Sequence, residues 1–86
     1  MFYVYVLRSE KDNKLYIGFT TDLRERLKDH NYGENTSTKF RRPFKLIFYE
    51  AYLNKIDAQR RERYFKTTKG KDTLRQMLKN YFNGLK

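Results

Sequence analysis

Five side chains in this 86-residue sequence are candidates for chemistry on phosphate esters: Tyr5, Tyr16, Arg26, His30 and Glu62. Hydrolysis of a phosphodiester needs an activated water, stabilisation of a crowded anionic phosphorane and help for the leaving oxygen. A tyrosine serves as proton acceptor or relay where a nearby cation lowers its pKa from about 10, so Tyr5 and Tyr16 are both candidate bases. Arg26 offers a planar, permanently charged fork to non-bridging phosphate oxygens. His30, one helical turn later, is placed to hold a phosphate or to move a proton. Glu62 is the candidate ligand for one divalent cation, Mg2+ or Mn2+, with water and substrate oxygens completing the shell. No second inward carboxylate is evident, which favours a one-metal over a two-metal site.

These groups act together only if the chain brings them to one place. Phe2–Leu7, rich in aromatic and β-branched residues, reads as a strand with Phe2, Val4 and Val6 on one face and Tyr3, Tyr5 and Leu7 on the other. A polar connection with Asp12-Asn13 at a turn leads to Leu15–Phe19, which predicts an antiparallel hairpin with Tyr16 and Gly18 on one face. Gly18, lacking a side chain, lets backbone or substrate approach beside Tyr16; a bulge before the helix is its competing role. Asp22 followed by Glu25 resembles a capping box with Asp in place of Ser or Thr. A helix is therefore expected from about Leu23 to Asn31–Gly33, with Leu23, Arg26, Leu27 and His30 on one stripe.

Tyr32–Arg42 is expected to be an exposed loop, and its basic end, Lys39-Phe40-Arg41-Arg42, interleaves charge with an aromatic before Pro43. Phe44–Leu53 reads as a third strand. Asn54 with Asp57 marks a second helix, on which Ala58, Arg61, Glu62 and Phe65 share a stripe. Glu62 is thus expected to point inward or into a cleft, although Lys66, four residues on, is spaced for an ordinary surface ion pair with it. Thr67–Lys71, with Gly70, is expected to break that helix. Leu74, Met77, Leu78, Tyr81, Phe82 and Leu85 then predict a packed amphipathic final helix.

Composition narrows the partners. Lysine and arginine number 20 against 10 acidic residues, a formal charge of +10, which favours a polyanion through phosphate neutralisation and counterion release. Nucleic acid comes first and an anionic membrane surface second. The charges are interspersed, and eight Tyr with seven Phe argue for a packed core rather than a disordered basic tail. The absence of cysteine excludes a disulfide scaffold and a thiolate zinc site and fits a reducing compartment. The N-terminal apolar run is too short, and lacks the basic leader, for a signal peptide, and no segment is long enough to span a membrane. A single cytoplasmic domain over 1–86 is the expectation, with a homodimer or protein partner left open.

The ordered set Tyr3-Val4-Tyr5, Tyr16-Ile17-Gly18, Arg26, His30 and Glu62 resembles the GIY-YIG nuclease domain over most of the chain. The likeness is strongest to small stand-alone members similar to the nuclease domain of the bacterial excinuclease, and Arg41-Arg42-Pro43 and Arg61-Glu62 extend it. The first tripeptide departs from the pattern, with Tyr3-Val4 where the superfamily name has Gly-Ile. Asn80 and Asn83 are the only late candidates for an asparagine that many members carry after the glutamate. The resemblance implies an α/β (α+β) fold, a small three-stranded, mainly antiparallel sheet flanked by about three helices. It implies metal-dependent endonuclease activity in DNA repair or recombination, on DNA ahead of RNA, leaving a 3′-hydroxyl and a 5′-phosphate. On that reading Tyr3, Gly18, Lys39, Arg41, Arg42, Arg61 and Lys66 contact nucleic acid, although a solvated face is an equally simple role for the loop cations. Two other functions compete: a nucleic-acid-binding module on the same fold with weak or no hydrolysis, and an adaptor whose final helix docks a partner.

Overall fold

The computed structural model describes residues 1–33 and 38–85. Strands β1 (Phe2–Ser9) and β2 (Leu15–Thr20) form the hairpin and α1 (Leu23–Tyr32) follows. β3 (Phe44–Tyr52) then leads to α2 (Lys55–Phe65), α3 (Thr68–Met77) and α4 (Lys79–Asn83). The sheet order is β2-β1-β3, antiparallel throughout, so the first strand is the central one.

A central strand covered on both sides needs two apolar faces, and the alternation of β1 supplies them. Val4 and Val6 pack with Ile17, Ala58, Phe65 and Leu74 on the side of α2 and α3. Tyr5 and Leu7 pack with Phe44, Leu23 and Leu27 on the side of α1. The hairpin turn is closed by Asn13 at φ 63°, the left-handed region that asparagine tolerates. Its amide donates to the Ser9 carbonyl at 2.8 Å, and the Ser9 amide donates to the Lys14 carbonyl at 2.9 Å.

Each long helix starts on a side-chain cap that takes up an orphan amide. Asp22 Oδ1 accepts from the Glu25 amide at 3.1 Å, Asn54 Oδ1 from the Ile56 amide at 2.8 Å, and Thr67 Oγ1 from the Gly70 amide at 2.9 Å. The end of α1 is fastened to β3 by Asn31, whose Oδ1 accepts from the Phe44 amide at 2.6 Å and whose Nδ2 donates to the Phe44 carbonyl at 3.1 Å. Arg42 completes this clamp by donating to the carbonyls of Asn31 (3.3 Å) and Gly33 (3.1 Å).

Three expectations are corrected. The break expected over Thr67–Lys71 does occur, at its start, where α2 ends at Phe65 and Thr67 caps α3, but Gly70 does not make it; it sits buried in the first turn of α3, where the backbone of Tyr64 and Phe65 crosses too closely for a side chain. The final amphipathic stretch is two helices divided at Leu78, and only Leu74 of its apolar stripe is fully buried. Met77 and Leu85 remain 44% and 47% exposed; the five-residue α4 packs on α3 and reaches the sheet through Tyr81, whose hydroxyl accepts from Arg8 Nε at 2.9 Å. Of the loop expected over 32–42, residues 34–37 lie outside the described residues; Thr38–Arg41 form a turn in which Thr38 is fully buried rather than exposed. Among the described residues, no helix is long and apolar enough to cross a membrane.

Candidate active site

Tyr5 on β1 stands opposite Gly18 on β2, and the tyrosine ring lies across the glycine. A Cβ added at Gly18 would come within 2.8 Å of Tyr5 Cε1 and closer still to Cζ and Oη. The missing side chain thus makes room for Tyr5 rather than for an approach beside Tyr16. This holds the Tyr5 hydroxyl 2.9 Å from Nε2 of His30, delivered from the last turn of α1. His30 is 1% exposed, and its Nδ1 lies 3.0 Å from Oγ1 of the buried Thr38. The half-buried Tyr16 ring meets the imidazole edge-on with centroids 4.7 Å apart, and Phe44 closes the other side at 5.9 Å.

Gly18→Ala is expected to push the Tyr5 ring off β2, separate it from His30 and lower stability by about 1–3 kcal/mol, the usual cost of overpacking. Denaturant unfolding measures the loss, and the imidazole nitrogen resonances of His30 report the broken contact. An unchanged midpoint and unchanged resonances would contradict the packing.

The charges around this cluster are few. Burial, reinforced by Tyr16, raises the Tyr5 pKa far above the ordinary tyrosine value; Arg26 opposes the rise and Glu62 adds to it. Burial lowers the His30 pKa, the Arg26 cation lowers it further and Asp29 opposes. Tyr5 therefore keeps its proton and His30 stays neutral at neutral pH. A protonated Tyr5 donating to Nε2 leaves the ring proton on Nδ1, which donates to Thr38.

Because the folded pKa of His30 is depressed, the unfolded chain binds the extra proton between the folded value and about pH 6.5. The stability of the neutral, buried ring is complete above that upper limit and is lost as pH falls through the folded value. The thermal midpoint is expected to drop as the pH falls below about 6.5, and to drop less in His30→Gln. Equal slopes for the two proteins in that window would show that His30 is not the titrating group.

Arg26 is exposed on α1, one turn before His30, and its charge is felt by both Tyr5 and His30. Glu62 arrives from α2, on the opposite helical layer. Its carboxylate accepts from Lys66 Nζ at 3.1 Å and its side chain is 20% exposed, so the surface ion pair that competed with an inward role does form. Its charge nevertheless reaches Tyr5.

Other cations of the sequence are differently employed. Arg61 donates to both oxygens of Glu50, at 2.9 and 3.3 Å, and lies 4.3 Å over the Phe65 ring. Glu50 also accepts from the Tyr52 hydroxyl at 2.6 Å, and that hydroxyl's pKa is pushed up to about 12, first by burial and then by this bond. The Arg61 fork is thus filled by a carboxylate, and Nη1 of Arg42 is shared between two helix-end carbonyls. Arg41 pairs with Asp12 at 3.4 Å and Lys39 lies 5.3 Å over the Phe40 ring. Tyr3 packs edge-on against Tyr49 at 6.0 Å. Asn80 and Asn83 are exposed on α4.

The family model described as the GIY-YIG catalytic domain matches residues 1–80. The chain belongs to the GIY-YIG family. It is 46% identical over 65 residues to the UPF0213 protein YazA of Bacillus subtilis (strain 168), a match covering 74% of this chain and 65% of YazA, just under two thirds of that protein's length. It is 41% identical over 80 residues to a UPF0213 protein of Pediococcus pentosaceus, covering 92% of this chain and 83% of that one. The fold is similar to the solution NMR structure of the UPF0213 protein BH0048 from Bacillus halodurans, with a TM-score of 0.56 and 32% identity over 90% of this chain and 85% of that one.

Within this GIY-YIG domain, no group of three or more His, Asp or Glu side chains among the described residues is arranged to hold a metal ion. Glu62, a partly buried lone carboxylate whose charge is felt at Tyr5, suits a cation that keeps most of its waters and takes oxygens from substrate. Two residues that the GIY-YIG cluster depends on escape sequence reading. Thr38 fixes the far nitrogen of His30 from the loop, and nothing in its neighbours signals that. Asn31 pins the helix that carries Arg26 and His30; its place at the helix end, where asparagine side chains serve as caps, is a signal that could have found it.

Proposed function

We propose that the chain is a metal-dependent endonuclease that hydrolyses phosphodiester bonds, with DNA as substrate. The observation that carries this reading is the Tyr5–His30 hydrogen bond at 2.9 Å, set beside Tyr16 and within the field of Arg26. Arg26 is solvent-accessible, so its fork is free to take non-bridging oxygens of a scissile phosphate and to oppose the charge that grows in the phosphorane. Tyr16 is the base of choice, because the Tyr5 proton is retained by burial and directed at His30, whereas Tyr16 is half-exposed beside the same imidazole. Tyr5 and neutral His30, hydrogen-bonded to each other, then act as a fixed wall whose rings pack against Tyr16 and orient it. A divalent ion held at Glu62 would supply further positive charge for the phosphorane and the leaving oxygen.

The Glu62–Lys66 ion pair favours a second reading, a nucleic-acid-binding module on this fold without efficient hydrolysis. Cleavage separates the two where affinity does not. Purified protein is incubated with duplex, branched and single-stranded DNA and with RNA, with Mg2+, Mn2+ or EDTA. The nuclease reading expects metal-dependent nicking by the wild type and, in Glu62→Gln, retained binding with cleavage lowered at least about 10²-fold. No nicking on any substrate with either metal would leave the binding module standing alone.

A further inference from the structure

Strand β2 has a second side. Tyr16 and Gly18 face the tyrosine–histidine cluster, and the alternate residues Leu15 and Ile17 form the floor of a separate cleft of about 450 Å³. Its walls carry Lys14 from the hairpin, Arg41 from the loop before β3, and Lys71 and Arg75 from α3, against one carboxylate, that of Asp12. Asp12 is already neutralised: Arg41 lies 3.4 Å away, and the Lys14 amide, which donates to it at 2.9 Å, heads the influences that hold its pKa below the usual value. Lys14, Lys71 and Arg75 form no ion pair among the described residues, whereas Arg60, Arg61 and Lys66 are each matched to a carboxylate.

We propose that this cleft is a second phosphate-binding site, which takes backbone phosphates of the nucleic-acid strand on either side of the one being cleaved. The inference rests on the nucleic-acid substrate proposed above. Three observations support it. The cations converge on a concavity rather than spreading over a convex surface, which focuses their field. Lys71 and Arg75 stand one helical turn apart, about 6 Å along the axis, and so present a row of charge rather than a point. β2 is an edge strand, so a strand leaving the Tyr16 side passes into the cleft across an edge that no other element of the sheet covers. The contacts are to phosphates, so the cleft adds affinity and register without base selectivity.

The test uses fluorescence anisotropy with a labelled single strand and a labelled duplex over a series of salt concentrations. Lys71→Glu/Arg75→Glu is expected to bind at least about 10-fold more weakly at moderate salt and to make the salt slope shallower by about two. Lys71→Arg/Arg75→Lys is expected to keep wild-type behaviour. Arg75 lies 5.3 Å over the Phe82 ring, so Lys14→Glu/Lys71→Glu, which leaves that contact alone, guards against a loss of folding and is expected to give the same shallower slope. Hydrolysis of bis(p-nitrophenyl) phosphate, too short to reach the cleft, is expected to be unaffected in all variants.

Unchanged affinity and slope in both charge-reversed pairs, in a protein that cleaves DNA, would overturn the cleft and leave the nuclease standing. A slope that depends on Lys71 and Arg75 in a protein that cleaves nothing would support the cleft and remove the nuclease. Loss of small-diester hydrolysis along with DNA binding would show that these residues act through the tyrosine cluster, which also overturns the cleft. A wild type that binds no nucleic acid overturns both.

Discussion

Arg26→Ala is expected to lower DNA cleavage about 10²- to 10³-fold, the loss typical of removing one preorganised donor from a developing anion. Arg26 is exposed on α1, so the unfolding free energy should stay within about 0.5 kcal/mol of wild type. Binding to a long duplex should fall by much less than cleavage, since one cation among many is lost. A second readout does not depend on activity. Burial first and Arg26 second hold the His30 pKa down, so in Arg26→Ala the imidazole should titrate somewhat closer to its ordinary value in an NMR pH series. Arg26→Lys keeps the charge but not the bidentate fork; it should preserve the His30 titration and recover only part of the rate. Cleavage within a few-fold of wild type in Arg26→Ala would remove Arg26 from the site.

The largest effect on stability is expected at Gly70, where alanine should cost about 3 kcal/mol or more. A Cβ there would lie 2.5 Å from the carbonyl carbon of Tyr64, closer still to its oxygen, and 2.9 Å from Phe65 Cα. All of these are backbone atoms that cannot rotate away, so α3 must lift off the end of α2. Phe65 and Leu74, both fully buried, are the side chains whose packing that movement would open. Since small domains are stable by only about 5–15 kcal/mol, a large part of the total would be lost. Chemical denaturation measures the effect. A Gly70→Ala protein with the wild-type midpoint would mean that α2 and α3 do not meet as described.

Local order is legible in this sequence, and non-local order is not. The two-residue period of Phe2–Leu7 placed Val4 and Tyr5 on opposite faces, and the Asp22 and Asn54 caps marked their helix starts, because each signal lies within one turn or strand of its effect. Gly70 is misleading in sequence for a physical reason. A glycine weakens an isolated helix, yet here helix-to-helix proximity forbids anything larger, and that proximity is tertiary. Arg61 spends its fork on Glu50, eleven residues back on the neighbouring strand, a pairing that no helical or strand spacing encodes. Lys66 could be paired with Glu62 by counting four residues, but whether Glu62 also reaches Tyr5 depends on how α2 lies on the sheet. The support of His30 by Thr38 is of the same non-local kind.

The central position of β1 bears on how freely this sequence can drift. Val4 and Val6 serve one core, while Tyr5 between them serves the other core and the tyrosine–histidine cluster at once. A strand with this division has no idle position at which a neutral change can accumulate, and a one-residue slip would exchange the two sets wholesale. Variation that retunes the chemistry is then to be sought on α1 and in the loop before β3, which reach the cluster from one side only. β1 should tolerate little beyond conservative exchange, and a library randomised there should return mostly unfolded chains rather than folded, inactive ones.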